Sequence, residues 1–141
     1  MIAARGRPYT VHTLRLLPGQ DVLGRLREWA EREGIEAASL VSAVGSVSTA
    51  AIRYGGKEEA SRLTGDLEVC ALSGTISRHG SHLHLAVADA EGRMSGGHLM
   101  EGTLVRTTLE IVLQEIGGVR FVRRKDERTG YSELFPEEIK P

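Results

Sequence analysis

The chain has 141 residues, of which 40% are hydrophobic, and a formal net charge of −1. This length predicts one domain with a core of its own, and the charge argues against the basic surface that nonspecific phosphate binding favours. The single cysteine, Cys70, excludes an intrachain disulfide and a cysteine-based zinc site, so a reducing, intracellular environment is expected. No apolar run approaches a membrane span, and Arg5 and Arg7 interrupt any signal peptide.

The first half of the chain predicts strands around one helix. Residues 9–17 read as a strand that ends at a Pro-Gly turn. Asp21 is a typical N-cap, and apolar residues then recur at helical spacing, which predicts a helix over residues 22–33. A glycine and a serine separate two further predicted strands, over residues 38–44 and 47–54.

The second half predicts an antiparallel-rich sheet, whose strands cover residues 67–77, 81–88, 94–99, 103–115 and 119–124. Gly117 and Gly118 predict a hairpin between the last two of these strands. The polar residues 125–141 predict a C-terminal tail. Three larger side chains, Tyr131, Leu134 and Phe135, are expected to order part of this tail. We therefore expect an α+β fold with one packed helix, divided into an N-terminal arm over 1–9, a domain over 10–124 and a tail over 125–141.

Three of the five histidines lie on two neighbouring predicted strands, His82 and His84 on one and His98 on the next. Residues i and i+2 of a strand point to the same face, so His82 and His84 are expected side by side. Histidine is the commonest protein ligand of transition metals, and three imidazole nitrogens suit zinc with an open coordination position. The alternative is that these are half-buried polar residues, bonded to backbone groups or to water.

Nine short motifs occur in the order found in one protein family. They are LLPGQD (16–21), GIEAA (34–38), GS (45–46), IRY (52–54), LEV (67–69), LSGT (72–75), HLH (82–84), GGHL (96–99) and TTLE (107–110). With these motifs, residues 10–123 resemble the plants-and-prokaryotes-conserved (PPC) domain. The resemblance implies an α+β homotrimer. Prokaryotic members are labelled DNA-binding proteins with a PD1-like motif, and plant members carry the domain behind AT-hooks and contact transcription factors.

The fold of this family is similar to that of acetolactate decarboxylase and of a zinc-binding ester hydrolase. Those proteins hold zinc through a His-x-His motif and a later histidine, which implies that His82, His84 and His98 are metal ligands here. The same comparison implies three candidate catalytic residues, Arg53 as a carboxylate clamp and Glu68 or Glu110 as the general base. The decarboxylase activity is not carried over, because the motifs outside the histidines do not match that enzyme.

The N-terminal tetrapeptide Arg5-Gly6-Arg7-Pro8 has the core of an AT-hook. In an AT-hook, an extended Arg-Gly-Arg enters the narrow minor groove of A·T tracts. The usual flanking basic run is absent and no linker precedes the first strand, so an arm with solvated arginines is the alternative. With a net charge near zero, we expect weak DNA binding that depends on Arg5 and Arg7. A second basic cluster, over residues 120–128, is interleaved with acidic residues and favours a solvated strand end.

Two functional hypotheses follow from these patterns and the resemblance. The first is a PPC-type homotrimeric interaction or regulatory protein that binds DNA weakly and has protein partners. The alternative is a zinc-dependent lyase or hydrolase that acts on a small carbonyl or ester compound through the three histidines. In both cases a cytoplasmic location is expected, or a nuclear one if the source is a eukaryote, and no membrane association.

Overall fold

The computed structural model describes residues 1–139 and confirms an α+β fold, an antiparallel sheet with one packed helix. Within this range, eight strands and one helix follow in the order β1 (Arg7–Leu16), α1 (Val22–Arg32), β2 (Ala38–Arg53), β3 (Ser61–Ser77), β4 (Gly80–Ala88), β5 (Met94–Leu99), β6 (Leu104–Gly117), β7 (Val119–Lys125) and β8 (Ser132–Glu138).

Both carboxylate oxygens of Asp21 accept backbone hydrogen bonds at the start of α1. Oδ1 accepts a hydrogen bond of 2.7 Å from the backbone N–H of Gly24, the N3 position of the helix, and Oδ2 accepts one from Gly102. The helix ends at Arg32, one residue before the predicted end, and Gly34 follows with a φ of +64°. The cap therefore also ties the helix to the segment before β6.

One face of α1 is buried, as the helical spacing of its apolar residues predicts. Val22 and Leu26 are fully buried and Trp29 nearly so. The indole ring of Trp29 meets the ring of His12 on β1 edge-on, with the ring centres 5.1 Å apart. No helix within residues 1–139 has the length and apolar character that a membrane span requires.

Six strands form one antiparallel sheet in the order β1-β6-β2-β3-β4-β5. The C-terminal end of β2 also pairs with β5, where Ile52 lies opposite Leu99 and Arg53 opposite His98. Strands β2, β3, β4 and β5 thus close into a ring, and the core side chains of this ring lie against α1 and β6.

The predicted break at Gly45 is wrong, because β2 runs through it as one strand. Gly45 has a φ of +150°, and a Cβ at this position would collide with the carbonyl oxygen of Thr108 on β6. The glycine therefore permits a close approach of two strands at a register shift, not a turn. Strand β3 is also longer than predicted, since it begins at Ser61.

The predicted hairpin between β6 and β7 is wrong as well. Strand β6 pairs with β1 on one edge and with β2 on the other, so neither edge is free for β7. Strand β7 pairs instead with β8 in a separate two-stranded sheet, and β8 lies in the segment for which the sequence predicts a polar tail.

Glu36 attaches the β7–β8 hairpin to the main sheet. Its carboxylate accepts hydrogen bonds from Arg120 Nε on β7 (2.6 Å) and from His79 in the β3–β4 turn (3.2 Å), and it pairs with Arg78 (2.7 Å). The backbone N–H of Phe121 donates to the Glu36 carbonyl. Burial alone would raise the pKa of Glu36, but the hydrogen bonds from Arg120 and His79 and the charges of Arg120 and Arg78 outweigh it and lower the pKa.

We expect Glu36→Gln to destabilise the protein by about 1–3 kcal/mol at pH 7, because a charged acceptor shared by three donors is lost. The folded-state pKa lies below the ordinary value of 4.5. The unfolded chain therefore binds more protons below that pH, and the stability that Glu36 contributes is lost as the pH falls through the folded pKa.

The measurement is urea unfolding of the wild type and Glu36→Gln at pH 7 and pH 3.5, with Glu33→Gln as a control for an exposed glutamate. The gap between wild type and Glu36→Gln should narrow at the lower pH. An equal gap at both pH values would show that the charge of Glu36 does not stabilise the fold.

Candidate metal centre

Three imidazole rings converge where β4 and β5 pair. Strand alternation places His82 and His84 on the same face of β4, and the register sets His98 directly opposite His84. One ring nitrogen of each residue lies within 4.8 Å of those of the other two, and the ring centres are 4.7 to 5.2 Å apart. The structure therefore brings together all three histidines that the sequence predicts as ligands, in a group that could hold a metal ion.

Two glycines allow the strands behind these rings to approach closely. Gly74 on β3 has a φ of +130°, and a Cβ there would collide with the carbonyl oxygen of His82. A Cβ at Gly97 would come within 2.6 Å of the carbonyl oxygen of Arg53. Side chains at either position would push β4 away from β3, or β5 away from β2, and would move the histidines apart.

The surroundings of the cluster lower the pKa of two of its imidazoles, His82 and His98. Although His82 is partly exposed, desolvation lowers its pKa, and the positive charges of His84, Arg123 and Arg53 lower it further, while Glu133 acts in the opposite direction. Desolvation also lowers the pKa of His98, with a second contribution from Arg53. Both shifts favour the neutral imidazole of His82 and His98, which is the form that coordinates metals.

A cleft of about 600 Å³ opens beside the cluster, with His82 and His98 on its wall. Arg53 from β2 lines it, and the β7–β8 hairpin contributes Arg123 and Glu133. This volume lies within the range of small-molecule sites.

Arg53 and Arg123 line the cleft without a carboxylate partner among the described ion pairs. Nη1 of Arg53 donates to the carbonyl oxygen of Lys57 at 3.1 Å. Nη2 of Arg123 donates to Thr75 Oγ1 at 2.9 Å, and its Nε is buried with no hydrogen-bond partner among residues 1–139. By contrast, Arg27 at the same cleft pairs with Glu101 at 2.7 Å.

The structure does not bring Glu68 or Glu110 to the histidines of the same protomer. Glu68 on β3 lies opposite Ala88 on β4. Ala88 is four residues after His84 on the same strand, a separation of about 13 Å at ~3.3 Å per residue. Glu110 on β6 lies opposite Val44 on β2, nine residues and roughly 30 Å along that strand from Arg53, which lies opposite His98. Arg53 is the one candidate catalytic residue placed beside the site, opposite His98.

The Arg-Gly-Arg segment lies against the sheet. The backbone N–H of Arg5 donates to Glu138 Oε1 at 2.9 Å, and Arg7 is the first residue of β1. Gly6 packs so closely on Ile116 and Val119 that a Cβ would collide with both. The side chains of Arg5 and Arg7 are nevertheless exposed.

The sequence model of the Plants and Prokaryotes Conserved (PCC) domain, the family named PPC above, matches residues 3–117. The chain belongs to this family. The match confirms the resemblance that the nine motifs carry. It ends before β7, so the hairpin that contributes Arg123 and Glu133 lies outside the matched PCC segment.

Solved structures share the PCC fold over nearly the whole chain. A hypothetical protein from Salmonella cholerae-suis is 42% identical, with a TM-score of 0.89 and 96% of each chain covered. The metal-containing protein AF0104 from Archaeoglobus fulgidus is 30% identical, with a TM-score of 0.82 over 95% of this chain and 99% of the other. A plant- and prokaryote-conserved protein from Pyrococcus horikoshii is 28% identical, with a TM-score of 0.81 and both chains fully covered.

Much longer proteins also contain a related segment. The bifunctional protein GlmU of Synechococcus sp. (strain JA-3-3Ab) is 46% identical over 144 residues, which cover 97% of this chain. The matched segment is only 23% of that protein, so the chain spans about a quarter of its length.

Sequence reasoning did not select Arg123 or Glu133 for the site. Arg123 stands in the basic cluster at 120–128, but nothing in its spacing points to the histidines. It reaches them because β7 pairs with β8 and the hairpin docks on Glu36. The missing hydrogen-bond partner of Arg123 Nε depends on this folded arrangement, so no sequence pattern of the PCC-domain protein could have revealed it.

Proposed function

We propose that this PCC-domain protein binds a transition-metal ion through His82, His84 and His98, and that this metal is zinc. The observation that carries the proposal is the convergence of three ring nitrogens within 4.8 Å. The name of the Archaeoglobus fulgidus protein, which describes it as metal-containing, supports the same conclusion.

The chemistry of the donor set fits zinc. Three neutral nitrogen ligands suit zinc or another late transition metal, whereas magnesium prefers oxygen ligands. Sites with three protein ligands and one open position are typical of catalytic zinc, and structural zinc sites have four protein ligands.

The reaction class that follows is a lyase or hydrolase step on a small carbonyl or ester compound. A zinc ion held by His82, His84 and His98 would supply Lewis-acid chemistry, which polarises a carbonyl or activates water. Arg53 would orient the substrate by binding a carboxylate. The predicted general bases, Glu68 and Glu110, would have to reach the cluster from a partner subunit, whereas Glu133 lines the cleft in the same protomer.

We expect the untagged wild type to bind zinc near neutral pH with a dissociation constant in the micromolar range or below, at about one ion per chain, measured by calorimetry. His84→Ala should weaken binding at least tenfold, because one of three nitrogen donors is lost. His79→Ala, in the β3–β4 turn, is the matched control and should bind like the wild type. A wild type that takes up no zinc would rule out both the site and the enzyme hypothesis.

We also propose that the chain forms a homotrimer. The outward face of the β1-β6-β2 part of the sheet carries Val11 and Val44, both more than 60% exposed, opposite Gln114 and Glu110. Apolar side chains on an open sheet face are typical of an interface, and β1 is also an edge strand with unpaired backbone groups.

Light scattering should then give three times the chain mass of 15.3 kDa. Val44→Asp would place a charge in the apolar face and should shift the mass towards that of one chain, whereas Val44→Thr should not. A single-chain mass for the wild type would contradict the trimer.

A second candidate function is DNA binding. A structure from Ralstonia eutropha JMP134 named "Putative DNA-binding protein" is 25% identical and favours it, with a TM-score of 0.73 and 86% of this chain covered. Arg5 and Arg7 expose their side chains, so minor-groove contact is sterically open to them. The role this suggests is that of a cytoplasmic regulatory protein with protein partners.

Weak binding of an A·T-rich duplex is expected at low salt and should disappear in Arg5→Ala/Arg7→Ala. Substitution is preferable to deletion of residues 1–8, because β1 begins at Arg7. Fluorescence anisotropy at two salt concentrations measures the effect, and Arg124→Ala/Lys125→Ala is the control for the second basic cluster. If only the control pair lost binding, the DNA site would lie on β7.

A further inference from the structure

We propose that the cleft beside the three histidines binds the carboxylate of a small organic acid through Arg53 and Arg123, and that Arg123 on the β7–β8 hairpin determines this specificity. The inference rests on the proposed function, because the other end of such a ligand would face the histidine cluster. It goes beyond that function by assigning a second arginine, Arg123, to the same carboxylate and by making this residue the determinant of specificity.

The buried Nε–H of Arg123 is the first argument. This donor has no partner among the described residues, although Nη2 of the same guanidinium is satisfied by Thr75. Buried donors in folded proteins are almost always paired, so an orphan on a residue that lines a cleft lacks an acceptor. Because this Nε is closed to solvent, the side chain of Arg123 must turn for an acceptor in the cleft to reach it. An arginine presents parallel N–H groups to a carboxylate, which makes a carboxylate a suitable acceptor.

The charges around the cleft are the second argument. Arg27 is neutralised by Glu101, but Arg53 and Arg123 have no such partner. Two strands far apart in sequence, β2 and β7, bring these two guanidinium groups to one cavity of about 600 Å³. The cleft lining carries three arginines and two glutamates, Glu101 and Glu133, which leaves a formal excess of one positive charge that a bound carboxylate would balance.

The position of Arg123 in the chain is the third argument. The hairpin lies beyond the segment that matches the PCC domain, and it docks on the main sheet through Arg120 and Glu36. The same hairpin adds Glu133 to the cleft. Because the Glu133 carboxylate would repel a bound anion, it should weaken the binding of a carboxylate ligand. Removal of its charge should therefore strengthen binding, whereas removal of the Arg123 charge should weaken it.

A purely structural role for Arg123 is the competing explanation. Its hydrogen bond to Thr75 links β7 to β3, and its aliphatic stem lies against Gly80. If this were its whole role, substitutions at Arg123 would change the stability of the hairpin and leave the binding of small anions unchanged.

The test is calorimetric titration with succinate, and with succinamide as the uncharged molecule of similar shape, on metal-free and on zinc-loaded protein. Succinate should bind and succinamide should bind at least tenfold more weakly. Arg123→Gln should weaken succinate binding about tenfold or more, since a charge-assisted hydrogen bond is lost. Arg27→Gln is the matched control, because Arg27 is already paired with Glu101, and should weaken binding about threefold at most, the effect of one changed charge in the cleft. Thermal unfolding of each variant reports whether it is folded.

Glu133→Gln keeps the proposal testable even if Arg123→Gln does not fold. It should tighten succinate binding about threefold, an increase that damage to the fold does not produce. Arg123-dependent binding to metal-free protein would support the carboxylate site even if no zinc binds and the proposed function fails. The inference is overturned if zinc binds normally but succinate binds neither form, or if Arg123→Gln and Arg27→Gln have the same effect.

Discussion

The pairing of β2 with β5 is the constraint on which the rest of the site depends. Only two residue pairs make it, Ile52 with Leu99 and Arg53 with His98. They close the ring of β2, β3, β4 and β5, and they place one arginine and one ligand candidate side by side. Gly97 allows this closure, because any side chain there would meet the backbone of Arg53. The ring is thus both the core of the fold and the frame of the histidine cluster.

The histidine cluster could be predicted from the sequence because its geometry is local. His82 and His84 share a face of β4 through alternation alone, and a short turn brings β5 back so that His98 lies opposite His84. The helix was predictable for the same reason, since the cap and the apolar spacing that define α1 lie within a few residues of each other. Such patterns need no knowledge of distant contacts.

The parts that sequence reasoning missed depend on contacts between distant residues. Gly45 looks like a chain break in sequence, but it serves a close approach to Thr108 on β6. Gly117 and Gly118 have the composition of a hairpin turn, yet β6 has no free edge to offer β7. At Gly45 and at the Gly117-Gly118 pair, contacts with neighbouring strands decided the outcome. The register also places Glu68 and Glu110 far along their strands from the histidines of the same protomer, a distance that the family motifs do not reveal.

The histidines and some of the charged residues of the cleft come from two different parts of the fold, the main sheet and the β7–β8 hairpin. The histidines stand on strands of the ring, where pairing with neighbouring strands and close approach at glycines set the positions of their backbone. The hairpin adds charged groups to the cleft, and polar contacts to Glu36 and Thr75 help to attach it to that ring. If the cleft binds a carboxylate as we propose, a change in the hairpin would alter that binding without moving the three histidines. Since the match to the PCC domain ends before β7, the proposed metal ligands lie within the matched segment, and Arg123, the proposed determinant of specificity, lies outside it.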